Sequence, residues 1–179
     1  MLQATTALQQ LGDDSVARDV LAQLATGEKM ATLALAERGS RRLNACPSAQ
    51  VVNGRISGVK TMVAEAQHVD FFIVSACSAD DGQDYGWFLV DAAAEGVEFA
   101  PVTCIDRIRP HADVHFTHSP CQRLGHAGAG SRYTESALDA VAVLIAFEQL
   151  GAADAALEIA LEYVKTRVAF NRPVASYQA

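Results

Sequence analysis

The sequence predicts an α+β fold: a short N-terminal helix, an antiparallel β-barrel or β-sandwich, and one long helix. Three observations predict this order. Apolar residues near the N-terminus recur at helical spacing, the middle of the chain alternates with period two between turn residues, and a segment near the C-terminus lacks proline altogether. With 179 residues, half of them hydrophobic, the chain is long enough to bury a substantial core.

The first predicted helix begins at Asp13-Asp14-Ser15, where acidic side chains meet the free amides of a first turn. Apolar residues then follow at helical spacing, namely Val16, Val20, Leu21 and Leu24. Gly27 is placed to end the helix as a left-handed cap.

Period-two segments follow, and they are predicted to be strands. They read ATLALAE, AQVV, RISGVKTMV, FFIVSAC, YGWFLVD, GVEFAPV and ADVHFTH. Asn53-Gly54 lies between the second and third segments and predicts a tight hairpin, because both residues tolerate the positive φ of a type I′ turn. No helical pattern interrupts the series, which favours an antiparallel sandwich or barrel over βαβ units.

The segment from about Thr134 to Phe170 predicts one helix of about 37 residues, roughly 55 Å long. The stretch AVAVLIAF, from Ala140 to Phe147, is apolar on every side. A helix of that kind must be surrounded by other helices. The rest of the sequence supplies too little helix to cover it, so we expect a partner chain or a longer polypeptide to complete the core.

Charge and composition argue against several classes of partner. The formal net charge is −7, so the chain lacks the basic surface that nucleic acid or an anionic membrane requires. No stretch approaches 18 uncharged apolar residues, and the N-terminus does not resemble a signal peptide. These features predict a cytoplasmic protein. The four cysteines form no CxxC pair, and we expect reduced thiols packed in a core.

Taken in order, these segments resemble the acyl-CoA dehydrogenase family over nearly the whole chain. The C-terminal stretch LGAADAALEIALEYVKTRVAFNRPVASYQA carries the most specific part of the resemblance. The matching positions, in register over 29 residues, are Leu150-Gly151, Tyr163, Arg167, Phe170-Asn171-Arg172-Pro173 and Gln178.

The resemblance implies three parts: residues 1–27 as the tail of an N-terminal helical domain, 28–130 as the middle β domain, and 131–179 as the start of a truncated C-terminal four-helix bundle. It implies FAD as cofactor and α,β-dehydrogenation of an acyl-CoA thioester as the reaction. It also implies an electron-transfer flavoprotein or similar acceptor, and a homo- or hetero-oligomer. The chain then looks like about half of a family member.

The resemblance also implies which residues contact the cofactor. Arg167, Phe170 and Gln178 match positions that contact the pyrophosphate and adenine side of FAD in a neighbouring subunit, where a guanidinium suits phosphate oxygens. The flavin-facing loop of the family corresponds here to residues 36–41, which contain Glu37 and Ser40. The second flavin wall corresponds to the segment after Lys60, where Met62 would pack against a ring.

Departures from the family pattern bear on activity. The flavin loop is short and lacks its threonine, and Ala64 stands where the family has a hydrogen-bond donor. The catalytic glutamate of most members lies beyond the last residue of this chain, and the position used by a minority is Val141. Glu148 is two turns away, about 10 Å along the helix. We therefore expect the chain to be inactive alone. The alternative is a non-catalytic, cofactor-supporting subunit that pairs with a complete homologue.

Other residue clusters suggest competing sites. The histidines from His111 to His126 suggest a metal site. However, His115 and His118 fall on opposite faces of an extended strand, so their spacing does not converge on one ion. The glycine-rich run at residues 125–130 matches no phosphate-binding motif and is expected to be a connector. An arginine cluster near Ser40 is a candidate for CoA or FAD phosphates; it comprises Arg38, Arg41 and Arg42.

Overall fold

A computed structural model of the chain describes residues 2–177 except 41, 44, 81, 83 and 107. The chain divides into two compact units, residues 1–138 and 139–179. The division falls within a helix and does not test the three-part domain organisation predicted from the sequence. The predicted α+β class is confirmed: helices lie at both ends of the chain and the strands between them form one mostly antiparallel sheet.

Two helices precede the sheet, α1 (Leu2–Gln9) and α2 (Ser15–Thr26). The predicted boundaries of α2 are confirmed. The Asp14 side chain accepts a hydrogen bond from the amide of Ala17 at 2.8 Å, and Gly27 adopts a left-handed φ of 74° as the C-cap. Helix α1 was not predicted from the sequence; its apolar residues Ala4, Ala7 and Leu8 are buried.

The main sheet contains eight strands within the described residues. They are β1 (Ala31–Ala34), β2 (Gln50–Val52), β3 (Arg55–Ala64), β4 (Phe71–Ser78), β5 (Asp84–Asp91), β6 (Val97–Val102), β7 (His111–Pro120) and β8 (Gln122–Leu124). The strand order is β6-β7-β3-β2-β4-β5-β8, with β1 also paired to β4. Over these residues the sheet does not close, so the barrel alternative is wrong.

The predicted hairpin between β2 and β3 is present, with φ of 51° at Asn53 and 67° at Gly54. Two pairings differ from the antiparallel expectation, because β1 and β2 both run parallel to β4. The chain therefore runs beside β4 as β1, leaves it in the β1–β2 loop, and returns as β2 to pair with β4 a few residues further along. That arrangement depends on long-range pairing and has no local sequence signal.

The sheet separates two hydrophobic clusters. Alternate residues of β4 and β5 enter opposite clusters, as the pleat requires. Phe72 and Phe88 pack with the strands that fold over one face, whereas Ile73 and Trp87 pack with α1 and α2 on the other. The Trp87 indole also donates to Thr134 Oγ1 at 3.0 Å, and this bond anchors the first turns of the C-terminal helix to β5.

Glycine is required at position 58 of β3 because Ala49, the residue before β2, lies close to its backbone. A β-carbon at this position would lie 2.7 Å from Ala49 Cβ and 2.8 Å from Ala49 Cα, and its φ is +151°. We expect Gly58→Ala to lower the free energy of unfolding by about 1–3 kcal/mol, because the backbone must move to relieve the overlap. Urea unfolding followed by tryptophan fluorescence measures this. Gly82→Ala, which meets no atom within 4 Å, serves as the control for the loss of a positive-φ glycine. Equal effects would contradict the packing explanation.

The long helix α3 spans Gly130–Thr166, 37 residues, four positions earlier at each end than predicted. The predicted end at Phe170 is wrong because Phe170 and Asn171 have φ of 50° and 61°, which a right-handed helix does not permit. They form the turn of a small hairpin of β9 (Val168–Ala169) and β10 (Arg172–Pro173), followed by a 3₁₀ turn (Val174–Ser176).

Helix α3 exposes much of its apolar surface. The large apolar residues that are exposed along it are Val143, Ile145, Phe147, Leu150, Leu157, Ile159, Leu161 and Tyr163. By length and composition alone, the helix could also cross a membrane. Its most apolar 18-residue window has a mean hydropathy of 1.6, and 6% of that window is buried. The core helix of a soluble protein meets the same criteria. These side chains are exposed in the described part of the chain, and their coverage by a partner chain or a longer polypeptide stays a prediction.

Candidate cofactor-binding site

The loop after β1 is held by Glu37, whose two carboxylate oxygens are both engaged. Oε1 accepts from Lys60 Nζ at 2.6 Å and from the Ala49 amide at 3.1 Å. Oε2 accepts from the amide and the hydroxyl of Ser48, each at 2.6 Å. Glu37 therefore ties both ends of the loop to strand β3. Its predicted role as a cofactor contact stays a prediction, and any such contact would have to share oxygens that already have two donors each.

Lys60 is fully buried, and its ammonium group also donates to Ser75 Oγ at 2.9 Å and to Leu35 O at 3.5 Å. In the sequence, Lys60 marks the start of the predicted flavin-wall segment, and no role is predicted for it. A usable signal was present, because Lys60 lies four residues after Ile56 and so shares its inward face of the strand. A lysine on an inward face indicates a buried ion pair.

Burial disfavours the charged form of both partners, so it raises the pKa of Glu37 and lowers the pKa of Lys60. The attraction between the two charges acts in the opposite direction on each pKa. For Glu37, burial is the largest single influence and raises the pKa, but the hydrogen bonds from Lys60 and Ser48 together outweigh it, so the pKa is lowered from its ordinary value. For Lys60, burial outweighs the hydrogen bond and charge of Glu37, and its pKa is lowered too. At a separation of 2.6 Å the pair is held by direct charge-assisted hydrogen bonding.

Met62, the predicted flavin-wall residue, is half exposed on strand β3. Its φ is +54°, an uncommon conformation for a residue with a side chain, and its amide donates to Asp113 Oδ1 at 3.1 Å. An open cavity of about 310 Å³ lies beside this strand. It is lined by Glu37, Arg38, Ser48, Val59, Thr61, Asp113 and His115.

The remaining loop residues are directed to the surface. The Ser40 hydroxyl is exposed and donates to Arg42 O at 3.0 Å, so it already serves a local turn. Of the arginine cluster, Arg38 is paired with Asp113 at 2.9 Å, Arg42 is exposed, and Arg41 lies outside the described residues. Their predicted role in binding phosphates is neither supported nor contradicted by these contacts.

The other predicted cofactor residues belong to the second unit. Arg167 follows α3 directly and is exposed; its amide donates to Tyr163 O at 2.8 Å. Phe170 is 94% exposed at the tip of the β9–β10 turn, an unusual environment for an aromatic side chain. Gln178 lies outside the described residues. The contact of Arg167, Phe170 and Gln178 with a cofactor stays a prediction.

Two expectations about cysteine and histidine can be compared with the structure. The thiols were expected to be reduced, but Cys46 and Cys77 form a disulfide, with their Cα atoms 6.6 Å apart; Cys104 and Cys121 are free. The 31-residue separation hides this pairing, which the β1–β2 loop creates by folding back beside β4. Among the described residues, no three His, Cys, Asp or Glu side chains are grouped to hold a metal ion.

Comparison with known proteins gives consistent matches. Residues 128–179 match the family described as acyl-CoA dehydrogenase, C-terminal domain. Acyl-CoA dehydrogenase IpdE2 of Mycobacterium tuberculosis is 51% identical over 41 residues, which are 23% of this chain and 13% of that protein. The solved structure of a Tcur3481-Tcur3483 steroid ACAD variant has a TM-score of 0.75 at 30% identity, covering 99% of this chain and 47% of its own.

A second solved structure, the acyl-CoA dehydrogenase complexed with FAD from Bacillus anthracis, has a TM-score of 0.82 at 25% identity and covers 93% of this chain and 30% of its own. Two further curated relatives match nearly all of this chain, which spans about half of their length, 48% and 49%. The fold of this chain thus matches part of the fold of these solved dehydrogenases. The C-terminal match, the curated relatives and the structures all point to the acyl-CoA dehydrogenase family, and the resemblance seen in the sequence is confirmed.

Proposed function

We propose that this chain supplies half of an FAD-dependent acyl-CoA dehydrogenase that catalyses α,β-dehydrogenation of an acyl-CoA thioester. One observation carries the proposal: a chain with the fold of these enzymes contains a 37-residue helix with many exposed apolar side chains. An apolar helix surface of this extent is typical of a helix that other helices cover. The covering helices come from a partner chain or from a longer polypeptide of which these residues form part.

The residues present fit a flavin in part. The exposed thioether of Met62 offers an apolar, polarisable surface for an aromatic ring. The exposed guanidinium of Arg167 offers a fork for a pyrophosphate, and the exposed ring of Phe170 offers a stacking surface beside it. Ser40 and Gln178 complete the proposed contacts. When bound, FAD supplies the hydride acceptor of the reaction.

A proton acceptor must come from outside these residues. Val141 occupies the α3 position at which a minority of the family carries the base, and an alkyl side chain cannot remove a proton. Glu148 lies seven residues further along α3, about 10 Å away along the axis. We therefore propose that the chain positions cofactor and substrate, while a glutamate on the covering helices takes the α-proton.

A second candidate function is a non-catalytic, cofactor-supporting subunit that pairs with a complete homologue. The uncovered helix favours it, and so does the similarity to a solved protein whose name joins two components, Tcur3481 and Tcur3483. In this arrangement Arg167 and Gln178 reach a cofactor across the interface. In either case we propose a cytoplasmic oligomer that binds acyl-CoA and passes electrons to an electron-transfer flavoprotein or similar acceptor.

The purified 179-residue chain is expected to give no acyl-CoA-dependent reduction of a dye, because it lacks a base at the Val141 position. The measurement is dye reduction with thioesters of several chain lengths, together with an absorption spectrum across the flavin bands. The control is the chain co-expressed with a complete acyl-CoA dehydrogenase homologue. A yellow, active complex supports the proposed function, and turnover by the chain alone contradicts the proposed inactivity. A colourless monomer under both conditions contradicts both candidate functions.

A further inference from the structure

Strand β3 contains a β-bulge beside strand β7. The pairing register shifts between Lys60 and Val63, so that Thr61 and Met62 share a single opposing residue, Asp113. Bulges redirect side chains and are frequent beside functional sites. In this one, the second bulged residue is Met62, which the proposed function places against a flavin.

The backbone of Met62 is in the left-handed region, with φ of +54°. A residue with a side chain adopts this conformation only when its surroundings hold it there. The Met62 amide donates to the carboxylate Oδ1 of Asp113 at 3.1 Å, and Met62 is 49% exposed.

Asp113 is itself held in place. Its carboxylate is 9% exposed, and Oδ2 accepts from the Arg38 guanidinium at 2.9 Å. The hydrogen bond from Arg38 is the largest influence on the pKa of Asp113; it outweighs burial and, with the Met62 amide, lowers that pKa. The other bulged residue, Thr61, donates its amide to Ala36 O at 2.9 Å, which ties the bulge to the β1–β2 loop.

We infer that Asp113 is a positioning residue. Its Oδ1 fixes the left-handed backbone of Met62 and so sets the direction in which the Met62 thioether leaves the sheet. Contact of Met62 with a flavin rests on the proposed function, whereas the hold of Asp113 on Met62 does not. The hydrogen-bond acceptor is the essential feature, and the charge that Asp113 shares with Arg38 is not.

The variants separate the acceptor from the charge. Asp113→Asn keeps an oxygen for the Met62 amide and removes the charge, Asp113→Ala removes both, and Arg38→Gln breaks the ion pair while leaving the acceptor. The readout is the ¹³C-methyl resonance of Met62 in the full chain. The chain has three methionines, so Met1 and Met30 are internal controls and Met62→Leu assigns the peak.

Asp113→Ala is expected to move the Met62 methyl resonance toward its unfolded position, while Asp113→Asn and Arg38→Gln leave it in place. A Met62 resonance that is the same in Asp113→Ala and Asp113→Asn overturns the inference. If Asp113→Ala does not fold, amide hydrogen exchange of the unaltered chain decides: protection at Met62 supports the inference, and exchange as fast as in an open loop overturns it.

A flavin-containing preparation of the chain with its covering partner extends the test. There, Asp113→Ala is expected to shift the flavin absorption maximum and midpoint potential, and Asp113→Asn to restore both. If the Met62 methyl resonance responds as expected but the unaltered preparation retains no flavin, the proposed function is contradicted. The positioning of Met62 by Asp113 would still hold. Flavin retention with identical spectra in Asp113→Ala and Asp113→Asn would overturn the role of Asp113 toward the cofactor.

Discussion

Replacing Lys60 with methionine is expected to lower the free energy of unfolding of the β-rich unit by about 3–5 kcal/mol. The substitution removes the counter-charge from Glu37, whose side chain is only 8% exposed. The three remaining donors, from Ser48 and Ala49, stay in place but cannot neutralise a buried carboxylate. The loss also removes one of the bonds between the β1–β2 loop and β3, so the effect reaches the proposed cofactor side of the sheet.

Trp87 is the only tryptophan and is fully buried, so its fluorescence in a urea titration measures this effect. Lys165→Met is the matched control, since Lys165 is paired with Glu162 at 3.7 Å on an exposed helix surface and should change stability by less than about 0.5 kcal/mol. Lys60→Met combined with Glu37→Gln should recover part of the loss, because the uncompensated charge is gone. A Lys60→Met variant as stable as the Lys165→Met variant would show that the ion pair has no structural role.

Placing an aspartate at Leu157 is expected to weaken assembly through α3 by at least about 100-fold, while leaving the unfolding of the β-rich unit unchanged. Leu157 is 58% exposed in the isolated chain, so the charge is harmless there. In the proposed assembly the same position is covered by other helices, where an unpaired carboxylate is strongly unfavourable.

Sedimentation of the chain, alone and with the co-expressed homologue, measures the assembly. Glu158→Asp is the control, because it places the same side chain one residue along, at a position that already carries a charge. Equal assembly of Leu157→Asp and the unaltered chain would contradict an α3 interface. Flotation of the unaltered chain with lipid vesicles would instead indicate that a bilayer covers this helix, contrary to the expected absence of a membrane partner.

Local chemistry explains which parts of the fold could be predicted. The α2 caps at Asp14 and Gly27 and the turn at Asn53-Gly54 are set by residues a few positions apart, and all are found where expected. The parallel pairing of β1 and β2 with β4 depends on which distant strands meet, which a period-two pattern does not specify. The end of α3 was misplaced for a related reason: helix propensity continues to Phe170, but the hairpin that follows imposes positive φ there.

The site was predicted from the sequence only at the level of segments. The resemblance indicated the loop with Glu37, the strand with Met62 and the end of the long helix at Phe170, and their contact with a cofactor stays a prediction. It gave no sign that Glu37 is engaged by Lys60 or that Asp113 reaches the Met62 amide across 51 residues of sequence. Such contacts arise from strand register and packing. The one hint in the sequence was Lys60, because the alternation of strand β3 places this lysine on the inward face.

The parallel strands β1 and β2 pair with successive parts of one strand, β4, at Phe71–Val74 and at Cys77–Ser78. Both ends of the intervening segment, residues 35–49, are therefore fixed to the same neighbour. Residues added to or removed from the middle of that segment would leave the pairing of every other strand as it is, and closing a longer loop carries only a small entropic penalty. Insertions and deletions can thus change the length of this segment without altering the strands on which it is anchored.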